Sequence, residues 1–443
     1  MKRREFLKRA AGTGMAGLTA ASASRVYGAN SRINLALIGC GTRGTPVASH
    51  MANVDGVEIG VVCDVYRRNV ERAKEKFGGT AKIVKDFRDV MAMKDVDAVL
   101  VATPDHWHAI PSITALEAGK HVYCEKPIEH TIQEGLAILA AKKKAPRCVF
   151  LTGTQHRSAP HIMKAAEIVQ GGQIGEVRFV SVWNWSNDYP GSPMKPAEPT
   201  PDDLDWDFYL GPAPMVPYHQ TRIGASYRKW MAYSSGRVSD FGVHRFDSVH
   251  QIMGCDQPTS CNAVAYRYRP KDHVGDHPDI MQATFEYPGW IMSYEAMELN
   301  GFGSMARITK GLPHHGTNGR GKHRPNGFMF VGTKATLIMD RKAMELIPEP
   351  GEDIKPIAEG YEDATPLHAQ HFIRCIRDGE KPRCDDVVGH RGGVICHLAN
   401  ISYKVGRKLV WDPDKEVIVG DKEASELLGK KARKPWDMIT IRS

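Results

Sequence analysis

Apolar runs alternate with charged, amphipathic stretches along the first third of the chain. Five runs are apolar on both faces: INLALIGC (33–40), VEIGVVCD (57–64), VDAVLVATP (96–104), HVYCEKP (121–127) and RCVFLTG (147–153). Runs of this kind are typical of parallel strands covered by helices on both sides. The stretches between them, including RRNVERAKEKF and HAIPSITALEAG, have helical spacing and charge. The alternation predicts a doubly wound parallel sheet, a Rossmann domain, over residues 30–152.

The pattern changes after residue 153. A helical stretch over 160–171 leads into EVRFVSVWNWS (176–186), and a Pro-rich stretch from 189 to 217 carries little periodicity. Further strand-like runs follow with few helices between them: CNAVAYRYR (261–269), IMQATFEYP (280–288), WIMSYEAME (290–298) and FMFVGTKATLIMD (328–340). This order predicts a second, α+β domain over residues 153–443, built on a large and mostly antiparallel sheet.

The first 29 residues have the pattern of an export signal. They begin with the charged run KRREFLK, continue through a mildly apolar stretch over 10–23, and end in ASASRVYGA. The apolar part is shorter than the about 20 residues of a membrane span. The pair Arg3 and Arg4, followed by Glu5, Phe6 and Leu7, resembles a twin-arginine signal. We expect the translocase of that pathway to export the folded protein to the periplasm; a cytoplasmic protein with a basic N-terminus is the alternative.

Charge and cysteine content narrow the picture further. The leader carries +5 of the formal charge of +8, and no dense basic patch interleaved with aromatic residues follows it. We therefore expect no nucleic-acid partner.

The nine cysteines are an odd number, form no CxxC pair and lie partly in apolar runs. Buried free thiols are expected, with a disulfide between Cys255 and Cys261 as the alternative.

A glycine-rich turn follows the first predicted strand. Gly39, Gly41 and Gly44 form the pattern GxGxxG between that strand and a helix, which is the context a dinucleotide site requires. The first glycine permits the tight turn, the second lets the backbone approach a pyrophosphate, and the third allows close packing. Thr42 and Arg43 lie within the same turn and belong to the expected site.

An acidic residue ends the second predicted strand. Asp64 follows Gly44 by twenty residues, where a carboxylate can accept hydrogen bonds from the adenosine ribose hydroxyls. A carboxylate there repels a 2′-phosphate, so NAD is expected as the cofactor. NADP remains the alternative, because Arg67 and Arg68 could pair with that phosphate. Since free cofactor is scarce outside the cytoplasm, an exported protein should bind it tightly.

Three residues are candidates for proton chemistry. Lys126 follows the fifth strand, and the carboxyl ends of parallel strands face the ligand crevice. Asp240 and His244 are four residues apart in SDFGVHRFD, with apolar residues at helical spacing around them. A carboxylate beside an imidazole fixes its tautomer and raises its basicity, and alcohol oxidation needs a base of that kind.

Weaker signals come from the second domain. A loop with Asp272, His273, Asp276, His277 and Asp279, together with His314 and His315, offers metal-ligand types, but the spacing matches no zinc pattern, so no metal site is expected. Candidate substrate contacts, in the region expected to face the crevice, are Arg157, Trp185 and Trp230. Ordinary packing of these aromatic rings is the equal alternative.

In combination, these motifs resemble the Gfo/Idh/MocA oxidoreductase family from residue 33 to the C-terminus. Its marks are the three glycines, ATPDHWHA at 102–109, the triplet EKP at 125–127, and Gly236 followed by Asp240, Gly242, His244 and Asp247. The run GHRGGVICHLANISYKVGRKLVWDP is similar to the C-terminal region of secreted bacterial members.

The resemblance implies roles for individual residues. Lys126 would contact the substrate hydroxyl and help to move the proton, His244 would be the main acid and base, and Asp240 would orient or contact the sugar. Residues expected to line the dinucleotide are Thr103, Pro104, His108 and Glu125. Asp105 departs from the family's commoner Asn, which leaves its contact with the cofactor open.

The same resemblance implies an NAD(P)-dependent dehydrogenase acting on a secondary hydroxyl of a sugar, glycoside or inositol-like polyol. One alternative is a glycoside hydrolase that uses transient oxidation and elimination at the same site. Another is a non-catalytic sugar- or cofactor-binding protein. Family members often pair through the open face of the second sheet, so a homodimer or homotetramer is expected.

Overall fold

The computed structural model describes residues 32–255, 257–299 and 324–437. The predicted signal peptide, and His314 and His315, lie outside the described residues. The strands are β1 Ile33–Ile38, β2 Val57–Cys63, β3 Lys82–Val84, β4 Ala98–Val101, β5 His121–Cys124, β6 Phe150–Thr152, β7 Val177–Trp185, β8 Ser260–Tyr266, β9 Ile280–Tyr287, β10 Trp290–Met297, β11 Asn326–Gly332, β12 Ala335–Met339, β13 Ala343–Pro348, β14 Ile357–Gly360, β15 Leu409–Asp412 and β16 Val417–Ile418.

The α-helices cover both sheets. They are α1 Gly44–Ala52, α2 Arg67–Lys76, α3 Phe87–Ala92, α4 Ala109–Glu117, α5 Ile132–Lys144, α6 Pro160–Gln170, α7 Trp206–Leu210, α8 Val243–Met253, α9 Thr365–Arg377, α10 Asp386–Val405 and α11 Lys422–Glu426. No helix among the described residues is long and apolar enough to cross a membrane.

The first sheet is wholly parallel, with strand order β3-β2-β1-β4-β5-β6. Its central strands are buried on both faces, as their continuous apolar runs predict; β4, for example, is fully buried over its whole length. The order reverses between β1 and β4. This reversal opens a crevice at the carboxyl ends of the two strands, where doubly wound sheets bind ligands.

The second sheet has ten strands in the order β14-β13-β12-β11-β7-β10-β9-β8-β15-β16. All of its pairs are antiparallel except β7 with β10. Helices α6, α8 and α10 pack on one face of this sheet and share its apolar core. The predicted fold class, a Rossmann domain plus an α+β domain with a large and mostly antiparallel sheet, is confirmed.

Two features of the second domain differ from the simple pattern along the sequence. The run over 328–340 is a hairpin, β11 and β12, and not one strand, because the chain turns after Gly332. Helix α9 packs against the first domain, where Ala369, Phe372 and Ile373 join its apolar core. A segment far along the chain thus completes one face of the Rossmann domain.

A buried ion cluster joins the two domains beneath the crevice. The His390 imidazole on α10 lies between the carboxylates of Glu129 and Glu416, at 3.4 and 3.3 Å. Gly135 and Gly393 leave room for this contact, since a Cβ at either position would lie 2.0 Å from His390 Nδ1 or 1.8 Å from Glu129 Oε1. Helices α5 and α10 therefore meet across the cluster.

All nine cysteines lie within the described residues and none forms a disulfide; eight are buried and Cys255 is half-buried. The prediction of buried thiols is therefore confirmed, and the alternative disulfide between Cys255 and Cys261 is not formed. Over residues 32–255, 257–299 and 324–437, no three His, Cys, Asp or Glu side chains are grouped as metal ligands.

Candidate active site

The glycine turn joins β1 to α1 at the point where the strand order reverses. Gly39 has a φ of +93°, and a Cβ there would lie 2.5 Å from the Ala102 carbonyl oxygen. At Gly44 a Cβ would lie 2.1 Å from the Gly39 carbonyl oxygen. At Gly41, by contrast, a Cβ would meet nothing within 4 Å. The fold requires the first and third glycines, whereas the second leaves open space that a ligand can approach.

Asp64 ends β2 and is tied to this turn. Its Oδ2 accepts hydrogen bonds from the Cys40 amide at 2.9 Å and from Asn69 Nδ2 at 3.2 Å, and its Oδ1 accepts one from the Tyr66 amide at 2.9 Å. Burial raises the pKa of Asp64, although the two amides and Asn69 oppose that shift. The carboxylate is thereby held in one orientation beside the cavity that Gly39, Thr103 and Phe208 help to line.

The basic residues near Asp64 are already paired with acids. Arg68 forms an ion pair with Asp203 at 3.0 Å and lies over the Tyr66 ring at 4.4 Å. Lys85 pairs with Asp205 at 2.8 Å. Arg67 lies 3.8 Å from Glu71. Because these cations have acidic partners, the Asp64 carboxylate would repel a 2′-phosphate at this end of the crevice. The surroundings favour NAD over NADP.

An open cleft runs from the glycine turn to the second domain. The residues that line it are Gly41, Thr42, Arg43, Asn69, Ala102, Thr103, Pro104, His108, Glu125, Lys126, Gln155, Tyr209, Gly224, Tyr227, Arg228, His244 and Arg341. Most of the residues expected to bind the dinucleotide therefore lie on one surface together with Lys126 and His244.

Two buried polar atoms of this surface have no hydrogen-bond partner among the described residues. Arg43 Nε donates to Glu125 Oε1 at 2.7 Å, but its buried Nη2 meets no partner in the part of the chain that the structure describes. The buried Thr103 hydroxyl likewise has no hydrogen-bond partner among the described residues. Buried polar groups are normally hydrogen-bonded, so these atoms indicate a bound ligand. Together with the open space at Gly41, they fit a dinucleotide.

Both ring nitrogens of His108 contact the backbone, so neither is available to a ligand in the cleft. Its Nδ1 lies 2.5 Å from the Pro127 carbonyl oxygen and its Nε2 lies 2.8 Å from the Thr103 carbonyl oxygen. Both ring nitrogens are therefore occupied by backbone. The imidazole links the loop after β4 to the loop after β5, and so holds Thr103 and Lys126 at a fixed separation.

Lys126 is anchored by Asp240. Its ammonium donates to Asp240 Oδ1 at 2.9 Å and to the Asp240 backbone oxygen at 2.6 Å. The same Oδ1 accepts a hydrogen bond from Arg228 Nε at 3.1 Å. Burial alone would raise the pKa of Asp240, but the two cations outweigh it and lower this pKa to about 2. Asp240 is thus a fixed anion that orients Lys126.

The expected pairing of Asp240 with His244 is not formed. A turn of π-helix, Val238–Gly242, precedes α8, and the Asp240 carboxylate turns to its two cations instead. Burial lowers the pKa of His244 well below its usual value, and the neighbouring Lys126 and His156 lower it further. The imidazole is therefore neutral at pH 7. Its Nδ1 is buried, with no hydrogen-bond partner within the described ranges.

The three candidate substrate contacts are not brought together in the cleft. Arg157 pairs with Asp247 at 2.7 Å, and both side chains are nearly buried. Trp230 is a buried ring whose Nε1 donates to the Thr221 carbonyl oxygen at 2.9 Å. Trp185 ends β7 and is half-buried. Ordinary packing accounts for Trp230, and an ion pair accounts for Arg157.

Other cleft residues were not expected from the sequence. Arg228 and Tyr227 lie on a 3-10 helix, Gly224–Lys229, in a stretch without periodicity, and Arg341 lies in the turn between β12 and β13. The Tyr227 hydroxyl donates to Asp105 at 2.7 Å, which assigns Asp105 to a contact between the domains. Nothing in the local sequence distinguishes these residues from surface residues.

A model of the Gfo/Idh/MocA oxidoreductase family, NAD-binding Rossmann fold, matches residues 33–152. A second model, for the C-terminal alpha/beta domain of this oxidoreductase family, matches residues 164–287 and 324–438. The chain therefore belongs to the Gfo/Idh/MocA oxidoreductase family. Its first domain is an NAD-binding Rossmann domain.

Curated relatives match parts of the chain. Inositol 2-dehydrogenase of Salmonella typhimurium is 30% identical over 145 residues, which are 32% of this chain and 43% of that protein. A glycosyl hydrolase family 109 protein of Shewanella putrefaciens is 27% identical over 312 residues, which are 61% of this chain and 62% of that protein. The chain thus spans less than two thirds of the length of either relative.

Solved structures share the fold at low identity. Levoglucosan dehydrogenase in complex with NADH and levoglucosan has a TM-score of 0.65 at 19% identity, over 88% of this chain and 100% of that one. Aldose-aldose oxidoreductase from Caulobacter crescentus, complexed with glycerol, has a TM-score of 0.64 at 19% identity, over 86% and 99%. At this identity the likeness is one of fold.

Gly41→Val should weaken the binding of NAD by more than about tenfold without destabilising the cofactor-free protein, because the new side chain fills the open space beside the turn. Titration calorimetry with NAD and thermal unfolding of the stripped protein measure the two effects. Gly44→Val is the contrasting variant, since its Cβ would clash with backbone and lower the unfolding midpoint. Unchanged NAD affinity in Gly41→Val would contradict this account of the turn.

Proposed function

We propose that the protein is an NAD-dependent dehydrogenase that oxidises or reduces a secondary hydroxyl of a sugar, glycoside or inositol-like polyol. The observation that carries the proposal is the placement of Lys126, held by Asp240, and of His244 on the lining of one cleft, which also contains the second glycine of the dinucleotide turn. A binding protein would need no fixed ammonium beside a neutral imidazole.

The two residues proposed for proton transfer differ in charge: Lys126 is a cation and His244 is neutral. When bound, NAD supplies a hydride acceptor at C4 of its nicotinamide. The Lys126 ammonium, fixed by Asp240, can donate a hydrogen bond to the reacting oxygen and stabilise negative charge on it. The neutral His244 imidazole can accept the hydroxyl proton as the hydride leaves carbon. In the reverse direction, the same imidazole returns that proton.

The names of the relatives agree with this class of substrate. Inositol dehydrogenases are among the curated relatives, and dehydrogenases of levoglucosan are among the structures that share the fold. The test is to assay the purified protein with NAD on a panel of hexoses, glycosides and inositols, and to measure NADH. No turnover on the panel, and no bound nucleotide, would reject the proposal.

A second candidate is an NAD-dependent glycoside hydrolase that oxidises, eliminates and re-reduces at the same site. It is favoured by the glycosyl hydrolase family 109 relative, whose match covers 61% of the chain. Release of an aglycone from aryl glycosides without net NADH would support the hydrolase, whereas NADH formed in step with substrate loss would support the dehydrogenase. Ligand binding without turnover, unchanged by Lys126→Ala and His244→Ala, would indicate a binding protein.

We also propose that the twin-arginine translocase exports the folded protein to the periplasm with NAD tightly bound. Arg3 and Arg4 support the route, and folded export allows the cofactor to be acquired in the cytosol. Changing both arginines to Lys should leave the protein in the cytoplasmic fraction, and native mass spectrometry of the exported parent should show bound NAD. Export of the double variant at the parental level would contradict the proposal.

The proposed oligomer is a homodimer or homotetramer formed through the open face of the second sheet. Phe179, Ile291 and Val331 lie side by side there on β7, β10 and β11, and are 39%, 43% and 36% exposed. Val264 on β8 and Ile347 on β13 extend this apolar surface. Contiguous exposed apolar surface of this kind marks interfaces, and a second copy supplies a matching surface by symmetry.

The double variant Phe179→Lys, Ile291→Lys should convert the oligomer to monomer, because charges in an apolar interface lose their hydration. Light scattering after size-exclusion chromatography measures the mass. Ile83→Lys is the matched control, since Ile83 is 44% exposed but lies on β3 of the first sheet. A monomeric parent, or a double variant with the parental oligomeric mass, would argue against this interface.

A further inference from the structure

Arg228 lines the cleft with a guanidinium group that, among the described residues, uses only one of its nitrogens in a hydrogen bond. Its Nε donates to Asp240 Oδ1 at 3.1 Å, and its side chain is 31% exposed. Within the residues that the structure describes, this bond to Asp240 is the one side-chain hydrogen bond of Arg228, and the two terminal nitrogens of its guanidinium make none. The adjacent Tyr227 ring lies 4.7 Å from the guanidinium carbon and supports the side chain. The fork of Arg228 is therefore held from behind, with its terminal nitrogens left for a ligand.

The lining of the cleft holds several cations, and most of them have an acidic partner. Its lining holds four basic residues and one carboxylate, namely Arg43, Lys126, Arg228, Arg341 and Glu125. Arg43 pairs with Glu125 at 2.7 Å, and Arg341 lies 3.3 Å from Asp363. Lys126 and Arg228 share the single carboxylate of Asp240. Asp105 is a second acid near Arg228, so the charges at this end of the cleft balance, but no salt bridge within the described residues joins Asp105 to the guanidinium.

The pyrophosphate of the cofactor does not account for the guanidinium fork of Arg228. Dinucleotide pyrophosphate binds at the glycine turn and at the N-terminus of the helix that follows it, here Gly41 and α1. Arg228 instead bonds to the carboxylate that fixes Lys126, at the site of the reacting hydroxyl. The terminal nitrogens of Arg228 thus face the part of the cleft that would hold the substrate.

We propose that the substrate carries an oxyanion, a carboxylate or a phosphate ester, which Arg228 binds through its two terminal nitrogens while Lys126 contacts the reacting hydroxyl. This inference rests on the proposed function and narrows its substrate class to acidic sugars. A guanidinium fork matches the two oxygens of a carboxylate or phosphate in a way that a neutral hydroxyl does not. Charge-assisted bonds of this kind correspond to about ten- to a hundredfold in affinity.

The test compares each acidic sugar with its neutral counterpart on NAD-loaded protein. Glucuronate is paired with glucose, galacturonate with galactose, and glucose 6-phosphate with glucose; the first two pairs probe a carboxylate and the third a phosphate. We expect kcat/KM to be at least about tenfold higher for the acidic member of one class. Arg228→Met should abolish this ratio, and Arg228→Lys should restore part of it. The ratio compares two substrates on one variant. A displacement of Lys126 would lower kcat/KM for both substrates alike and would leave the ratio unchanged.

The control is Arg147→Met, because Arg147 is exposed on the loop before β6, at the edge of the first sheet opposite the cleft. It should retain the parental ratio. Turnover of neutral sugars with no preference for the acidic member would overturn the inference while leaving the proposed function intact. So would a parental ratio in Arg228→Met accompanied by weaker NAD binding, which would assign Arg228 to the cofactor.

Calorimetric binding of glucuronate and glucose 6-phosphate to the NAD-loaded protein decides the inference independently of turnover. Binding that weakens with salt and is lost in Arg228→Met supports it, even if no sugar is oxidised and the proposed dehydrogenase is rejected. No binding of either anion to the parent overturns it.

Discussion

Lys126→Met is expected to lower kcat for polyol oxidation by about 10²- to 10⁴-fold, with NAD still bound. The substitution keeps the length of the side chain and removes the ammonium that would stabilise charge on the reacting oxygen. Asp240 retains its ion pair with Arg228, so the fold should survive. Steady-state kinetics together with NAD titration separate the two effects. A loss confined to KM, or a parental kcat, would show that Lys126 takes no part in the chemical step.

The same variant should change the pH dependence of the reaction. Burial and the Lys126 ammonium hold the pKa of His244 well below 6.5, so the parental imidazole stays a neutral base as the pH falls below that value. Removing the ammonium raises this pKa, and the acid limb of kcat/KM for oxidation should move to higher pH. NMR titration of His244 measures the shift directly. Arg147→Met should leave the acid limb in place, and an unmoved limb in Lys126→Met would argue against His244 as the base.

His390→Gln is expected to reduce the free energy of unfolding by about 3–5 kcal/mol, because it leaves the buried Glu129 and the largely buried Glu416 without their cation. Chemical denaturation at pH 7 measures this loss. His397→Gln is the matched control: His397 is buried on the same helix, where burial lowers its pKa to about 3, so its replacement removes no charge. Equal losses in both variants would mean that the ion cluster makes no special contribution.

The pH dependence of this loss follows from the direction of the shift. Burial lowers the pKa of His390, but the carboxylates of Glu129 and Glu416 outweigh burial and raise it to about 9. A raised pKa means that the stabilisation is fully present below the unfolded value of about 6.5 and is lost as the pH rises through about 9. The difference between the parent and His390→Gln should therefore shrink as the pH rises from about 6.5 to about 9 and stay small above that. A constant difference from pH 7 to pH 10 would rule out a charged His390.

Much of the first domain follows from local sequence. Residues of β1 and β4 are apolar on both faces, so they must be buried between two layers, and a parallel sheet provides that environment. The conformation of Gly39 and the position of Lys126 after β5 follow from the same sheet, since its carboxyl edge is where the crevice opens. The second domain was less predictable, because Arg228 and Tyr227 lie on a 3-10 helix without a periodic signal.

The predicted contact between Asp240 and His244 does not form, although the two residues have helical spacing. Four residues on an ideal helix place two side chains on one face, but the turn over Val238–Gly242 is a π-helix, and the Asp240 carboxylate finds Lys126 and Arg228 instead. A buried carboxylate binds the cations within reach, and these come from segments 12 and 114 residues away along the chain. No local pattern contains that information.

By itself, the sequence determined the alternation of strands and helices, the glycine turn with Asp64, and the types of residue available for proton transfer. These depend on short-range sterics and on periodic burial, which a local window records. Only the tertiary structure decided that Asp240 anchors Lys126, that His244 is neutral, and that Arg228 faces the cleft. Charge states and pairings depend on which distant groups share a buried space, and that is set by the packing of the two domains.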